Sequence, residues 1–186
     1  MRLRNILILL VVLVALGGYF YFSNTPQSTT IQEPQFYVWL IDVEDIQHIE
    51  IRLPHEGKSQ SFIKILEGDT FPWYFDDPQK SKVDIDRWGG GIPLLLSGPG
   101  AERVIAANAT EEKLWEFGLT QPRMEIILTL EDGDILNIMV GNTTQDGHAH
   151  YVQVPDSNKV ALVDYSWYNV LERLVKEPPY ASTSAN

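Results

Sequence analysis

Arg123 to Val140, RMEIILTLEDGDILNIMV, is an apolar, strand-forming run broken once, at Asp132-Gly133. Asp-Gly is a strong hairpin signal because both central positions of the tight turn need a positive φ. The stretch therefore reads as a strand (Arg123 to Leu130), a turn, and a partner strand (Ile135 to Val140). Upstream, Gln47 to Leu53 (QHIEIRL) alternates, with Ile49, Ile51 and Leu53 on one face and His48, Glu50 and Arg52 on the other. Pro54-His55-Glu56-Gly57 is a turn, and Ser61 to Leu66 (SFIKIL) resumes as a strand. Set side by side, IEIRLPHEGKSQSFIKI and MEIILTLEDGDILNIMV share one outline, each followed by aromatic strands and a helix. The pair reads either as an internal duplication of a strand-hairpin-strand-helix unit or as two ordinary hairpins.

Further strands are expected at Thr70 to Phe75, where Pro72 points to a sheet edge, at Glu102 to Ala107, and at His150 to Val154 paired with Val160 to Val163. Val83 to Leu96 reads as a short or kinked helix, interrupted by Gly89-Gly90-Gly91 and Pro93. Thr110 caps a second helix, with Glu111 and Glu112 at its positive end and Gly118 just past its last turn. Asp164 to Lys176 is amphipathic, with Trp167, Val170, Leu171, Leu174 and Val175 at helical spacing. The fold class is α+β: a mostly antiparallel β-sheet with two or three helices.

The N-terminus is of another kind. Ile6 to Phe22 are 17 consecutive uncharged, mostly apolar residues, preceded by Arg2 and Arg4. Tyr19, Phe20, Tyr21 and Phe22 occupy the place where a signal peptidase site of small residues would lie, and aromatic rings suit the membrane–water interface. The run spans about 26 Å as a helix, which Asn5 and Ser23 extend towards a hydrocarbon core of about 30 Å. It reads as a transmembrane signal anchor, with cleavage near Ala15 to Gly18 and a buried apolar helix as competing readings. The first charge after it is Glu33, so the positive-inside bias puts the N-terminus in the cytoplasm and the rest outside, periplasmic or extracellular. The expected domains are a cytoplasmic cap and anchor (1–24), a tether and lead-in (25–42), an extracytoplasmic α+β domain (43–177) and a disordered tail (178–186). Phe36 to Ile41, in the lead-in, reads as a packed first strand or as a stretch lying against the bilayer.

The chain has 186 residues, no cysteine, 25 acidic and 14 basic side chains, and a net charge of −11. Without Arg2 and Arg4, 12 basic residues face 25 acidic ones, about −13 for the outer part. Such charge argues against nucleic acid and against anionic headgroups as partners. The lack of cysteine excludes disulfides, thiolate metal sites and cysteine nucleophiles.

Phe117-Gly118-Leu119-Thr120-Gln121-Pro122 forms an aromatic–Gly–Leu–x–x–Pro signature between a short helix and a hairpin. With Trp73 after the second strand, Arg103-Val104-Ile105 ahead of the signature, Gly141 ending the hairpin and Tyr151-Val152 opening the next strand, the region from about Asp45 to Val175 resembles the bacterial domain of unknown function 4340. Gly89-Gly90-Gly91 and Pro93 depart from the smooth helix of that family. The resemblance implies a membrane-anchored extracytoplasmic domain, some members being encoded beside transporters, without an established catalytic role. Physically the signature reads as architecture, with a binding site as the lesser alternative. Gly118 can turn left-handed to end a helix, Leu119 can pack back, and Pro122 blocks continuation.

Among chemistry-bearing residues, His148 and His150 with Asp146 can offer three ligands to Zn²⁺, Cu²⁺ or Ni²⁺, against the plainer reading of solvated residues near a turn. Asp76-Asp77, Asp84/Asp86 and Glu131/Asp132/Asp134 lack the spacing of a calcium loop. Asn108-Ala-Thr110 and Asn142-Thr-Thr144 match the glycosylation pattern, which matters only in a eukaryotic secretory route. No nucleophile elbow, P-loop, dinucleotide fingerprint or zincin motif occurs, and no cofactor is expected. Trp39, Trp88 and Tyr180 lie in irregular stretches and suit a protein interface. The expected function is a non-catalytic accessory or scaffold subunit of a membrane complex. Its partners would be the bilayer through residues 6–22, other subunits and a basic soluble protein such as an electron carrier. The alternative is a small-ligand or metal-binding module, a sensor or transporter auxiliary.

Overall fold

A computed structural model of the chain describes Leu13, Leu16 and residues 36–88 and 91–180. The chain divides into two compact units, Met1–Pro34 and Gln35–Asn186. Within the first, Leu13 and Leu16 are helical and exposed; Arg2, Arg4, Tyr19, Phe20, Tyr21, Phe22 and most of the expected anchor lie outside the described residues. Among the described residues no helix is long and apolar enough to cross a membrane.

The second unit is α+β. Its strands are β1 (Phe36–Tyr37), β2 (Ile46–Leu53), β3 (Lys58–Lys64), β4 (Trp73–Phe75), β5 (Gly100–Ala101), β6 (Arg103–Ala106), β7 (Met124–Leu130), β8 (Ile135–Thr143), β9 (Ala149–Gln153) and β10 (Val160–Asp164). Its helices are α1 (Ile85–Trp88), α2 (Ile92–Ser97), α3 (Glu111–Glu116) and α4 (Tyr165–Lys176). Eight strands form one sheet in the order β4-β3-β2-β7-β8-β9-β10-β6, and β1 pairs with β5 apart from it. Every neighbouring pair is antiparallel.

The two hairpins meet at the centre of this sheet, where Ile51 lies opposite Ile126. From that seam Ile49 pairs with Phe62 and Phe62 with Phe75 on one side; Met124 pairs with Val140 and Val140 with Val152 on the other. All six are fully buried. The strands alternate because only one face here is covered. α4 crosses β2, β3, β9 and β10, and its Trp167, Leu171, Leu174 and Val175 join the same core, as do Ile92 and Leu96 of α2. Burying each such side chain contributes about 1.5–3 kcal/mol. The opposite face of β2 carries charge: Arg52 pairs with Glu50 at 2.7 Å and with Glu125 of β7 at 3.8 Å. β10 breaks the alternation. Ala161 and Val163 face the main core, while Val160 joins a second cluster with Ala109, Phe117 and Leu119 beneath α3. Its four consecutive apolar residues follow from being covered on both sides.

Several expectations need correction. The second strand runs Lys58–Lys64, not Ser61 to Leu66. A 3-10 turn at Pro54–Glu56 ends on left-handed Gly57 and pairs Leu53 directly with Lys58, so polar residues with no apolar signal lie in the ladder. Thr70 is not in the third strand; it bonds back to Glu67 in a turn. Phe36–Tyr37 of the lead-in form a strand and Val38 and Trp39 after them are buried in the core, in keeping with the packed alternative. The folded unit also takes in part of the expected tail of 178–186: Tyr180 stacks on Phe75 at 4.0 Å and bridges to Val83.

Candidate functional site

The signature residues converge where α3 ends against β8. Thr110 caps the start of α3, its hydroxyl accepting from the Lys113 N–H. At the other end Gly118 turns left-handed at φ +72°, and the Leu119 N–H reaches back to the Leu114 carbonyl at 2.8 Å. Two late carbonyls of the helix are then met from β8. The Asn142 backbone N–H donates to Phe117 O at 2.8 Å, and its side-chain amide donates to Glu116 O at 3.3 Å. This approach requires Gly141, where a Cβ would lie 2.1 Å from Phe117 O. The ladder is irregular between Val140 and Thr143, which swings Asn142 towards the helix end. Phe117 stacks on Tyr151 at 4.4 Å, Leu119 fills the cluster beneath, and Pro122 is buried. Phe117, Gly118, Leu119, Pro122 and Gly141 thus form one packed joint; Trp73 lies elsewhere, on β4 against Trp88 at 5.9 Å. Asn142 is the member that sequence reasoning missed. Its glycosylation-like triplet drew attention away from its use as a helix cap.

His150 is drawn into the same joint. Its ring is 1% exposed, Nδ1 lies 3.2 Å from Gly141 O, and it stacks on Tyr168 at 4.1 Å and Tyr165 at 5.6 Å. Burial, above all, holds its pKa below the usual histidine value; Arg123 adds to this, while the Gly141 carbonyl and Glu172 oppose it. Burial, with Glu172 beside it, also pushes the Tyr168 hydroxyl up to about 12.

Residues 96–177 match the family model for a domain of unknown function, DUF4340. Over that stretch the chain is similar to DUF4340. The match takes in β5 to β10 with α3 and α4, and so the whole joint, but it leaves out the β2–β4 meander and Trp73 that the resemblance had extended to. No match was found among curated proteins or solved structures.

The proposed metal set does not assemble among the described residues. His148 precedes β9 and is exposed, whereas His150 points into the core. Asp146 closes the turn between them and β8: it accepts from the Thr144 hydroxyl at 2.6 Å and from the His148 N–H at 3.2 Å, and these bonds, the hydroxyl first, hold its carboxyl below the usual range. Among the described residues no three histidine, aspartate or glutamate side chains lie close enough to hold a metal. What Asp146 and His148 do line is an open, polar cleft of about 620 Å³, with Glu102, Arg103, Gln145 and Tyr151 around it.

The other acidic sets are used locally. Asp76 joins Lys80 and His48, and these contacts, Lys80 first, lower its pKa. Asp84 Oδ1 accepts from the N–H groups of Asp86 and Arg87 at the start of α1, and Asp132 Oδ1 accepts from the Asp134 N–H across the hairpin turn. His55 Nε2 lies 3.2 Å from Gln121 O. Trp39 and Trp88, expected at an interface, are buried at 8% and 4% exposure; the tryptophan on the surface is Trp115, 70% exposed.

Proposed function

We propose that the chain is a non-catalytic accessory or scaffold subunit of a membrane protein complex, held by residues 6–22 with its acidic domain extracytoplasmic. One observation carries the reading. Trp115 stands exposed on α3, with exposed Glu111 and Glu112 four and three residues before it on the same helix face and exposed Glu116 next in sequence. A large aromatic that can bury on contact, ringed by carboxylates that steer a cationic partner, suits the docking of a basic protein. The acidic excess supports the same partner, since a strongly negative domain attracts a basic soluble protein at long range. Gentle detergent extraction and native electrophoresis test this. Co-migration with further subunits, weakened by Trp115→Ala, is expected; migration as a lone monomer under every extraction condition overturns it.

The open cleft at Asp146, His148 and Arg103 favours a second reading, a binding module for a small polar ligand. A thermal-shift screen checks it: stabilisation by a particular small polar compound should vanish in His148→Ala. His150→Ala is not the right probe, because that ring is packed inside the joint.

A further inference from the structure

The lead-in to the domain divides its side chains sharply. Its backbone is fixed along residues 97–101: Phe36 pairs with Ala101 and Tyr37 with Gly100, the Val38 N–H donates to Pro99 O at 3.0 Å, and the Ile41 N–H donates to Ser97 O at 2.8 Å. Trp39 turns inward, its indole N–H on Leu96 O at 2.8 Å. Phe36, Tyr37 and Leu40 turn outward, exposed by 56%, 43% and 70%. Tyr37 and Leu40 lie over Gly98, where an added Cβ would meet Leu40 Cδ1 at 2.8 Å and Tyr37 Cδ1 at 3.3 Å. Beside them runs a shallow, largely apolar groove of about 420 Å³ between Gly98 and Trp167, with Leu94 on its rim, 67% exposed.

Two features say what covers this surface. In a domain near −13, residues 34–41 and 88–101 carry no charge, so the outward residues of the lead-in and of α2 form a neutral, aromatic-rich patch. The patch is also where the tether joins the domain. Residues 23–35 separate it from the apolar run, a contour of at most about 45 Å. Tyrosine and phenylalanine beside leucine favour the boundary between headgroups and acyl chains, and tethering raises their effective concentration there. We propose that Phe36, Tyr37, Leu40 and Leu94 rest on the interfacial layer of an uncharged, zwitterionic lipid surface. The proposal depends on the anchor reading above.

The chain has no cysteine, so single cysteines can be placed in the full-length protein without competition. Leu40→Cys, Leu94→Cys and, as a control outside the patch, Asp132→Cys are labelled with an environment-sensitive fluorophore and reconstituted into phosphatidylcholine vesicles carrying a headgroup-level nitroxide lipid. All three positions are exposed, so folding is not at stake. Docking predicts quenching several-fold stronger at 40 and 94 than at 132, weakened by adding anionic phosphatidylglycerol. Equal quenching at all three overturns the proposal. So does a blue-shifted but unquenched label at 40 and 94, which means that protein, a second copy included, covers the patch. Carbonate washing of the same vesicles separates the two readings: release of the chain refutes the anchor, whereas retention without quenching refutes only the docking.

Discussion

Asn142 holds Phe117 by its backbone, its N–H bonded to the Phe117 carbonyl at 2.8 Å, and the neighbouring Gly141 leaves no room for a side chain beside that same oxygen. The contact joins the end of a helix to an interior strand of the sheet, so neither side can retreat cheaply.

Gly141→Ala should therefore be the most damaging change at the joint, at about 3 kcal/mol, since the methyl would meet backbone rather than a movable side chain. Gly118→Ala should cost less, about 1–2 kcal/mol for the left-handed backbone, because the nearest atoms are those of the Asn142 side chain. Urea denaturation of both variants checks the ranking, and the reverse order would show that the strand yields more easily than the helix end.

His150 should make stability depend on pH. Its folded pKa is lowered chiefly by burial, so the unfolded chain takes up a proton near its ordinary value of about 6.5 while the folded form resists. Its contribution is fully present above that value and lost as pH falls towards the folded pKa. His150→Gln should flatten the stability profile between about pH 7 and 5.5; an unchanged slope would assign the effect to other groups.

Adjacent residues of the lead-in should behave oppositely. Trp39→Ala removes a buried indole that meets Trp167 edge-on at 6.2 Å, and should cost about 3–5 kcal/mol. Leu40→Ser changes an exposed side chain and should alter stability by no more than about 0.5 kcal/mol. Thermal melts of the two variants test this contrast, which a lead-in detached from the core would not give.

Tyr180→Ala should lower stability by about 0.5–1.5 kcal/mol through loss of its stack on Phe75. A variant indistinguishable from the parent in a denaturant titration would place the end of the folded unit before Tyr180.

The central sheet was legible in the sequence because Ile49, Ile51 and Leu53 alternate cleanly and Asp132-Gly133 marks its turn. Lys58 to Gln60 were not, since they enter the ladder through the backbone alone and carry no apolar pattern. The signature could be understood as a helix stop, but its partner could not. Asn142 acts across 24 residues of chain from Gly118, and spacing reveals nothing about such a contact. The histidines misled for a related reason. Two positions two residues apart share a face only within a regular strand, and β9 begins at Ala149, after His148.

The seam between Ile51 and Ile126 also sets an order of events during synthesis. β2 ends at Leu53 and its central neighbour begins at Met124, so 70 residues must be added before the inner edge of β2 has its partner. At elongation rates of roughly 5–20 residues per second, that edge stays open for about 4–14 s. During this interval an apolar, alternating strand is bare on one side, a state prone to pairing with other chains. The newborn chain is therefore most vulnerable not at the rims of its finished sheet but along what becomes its middle.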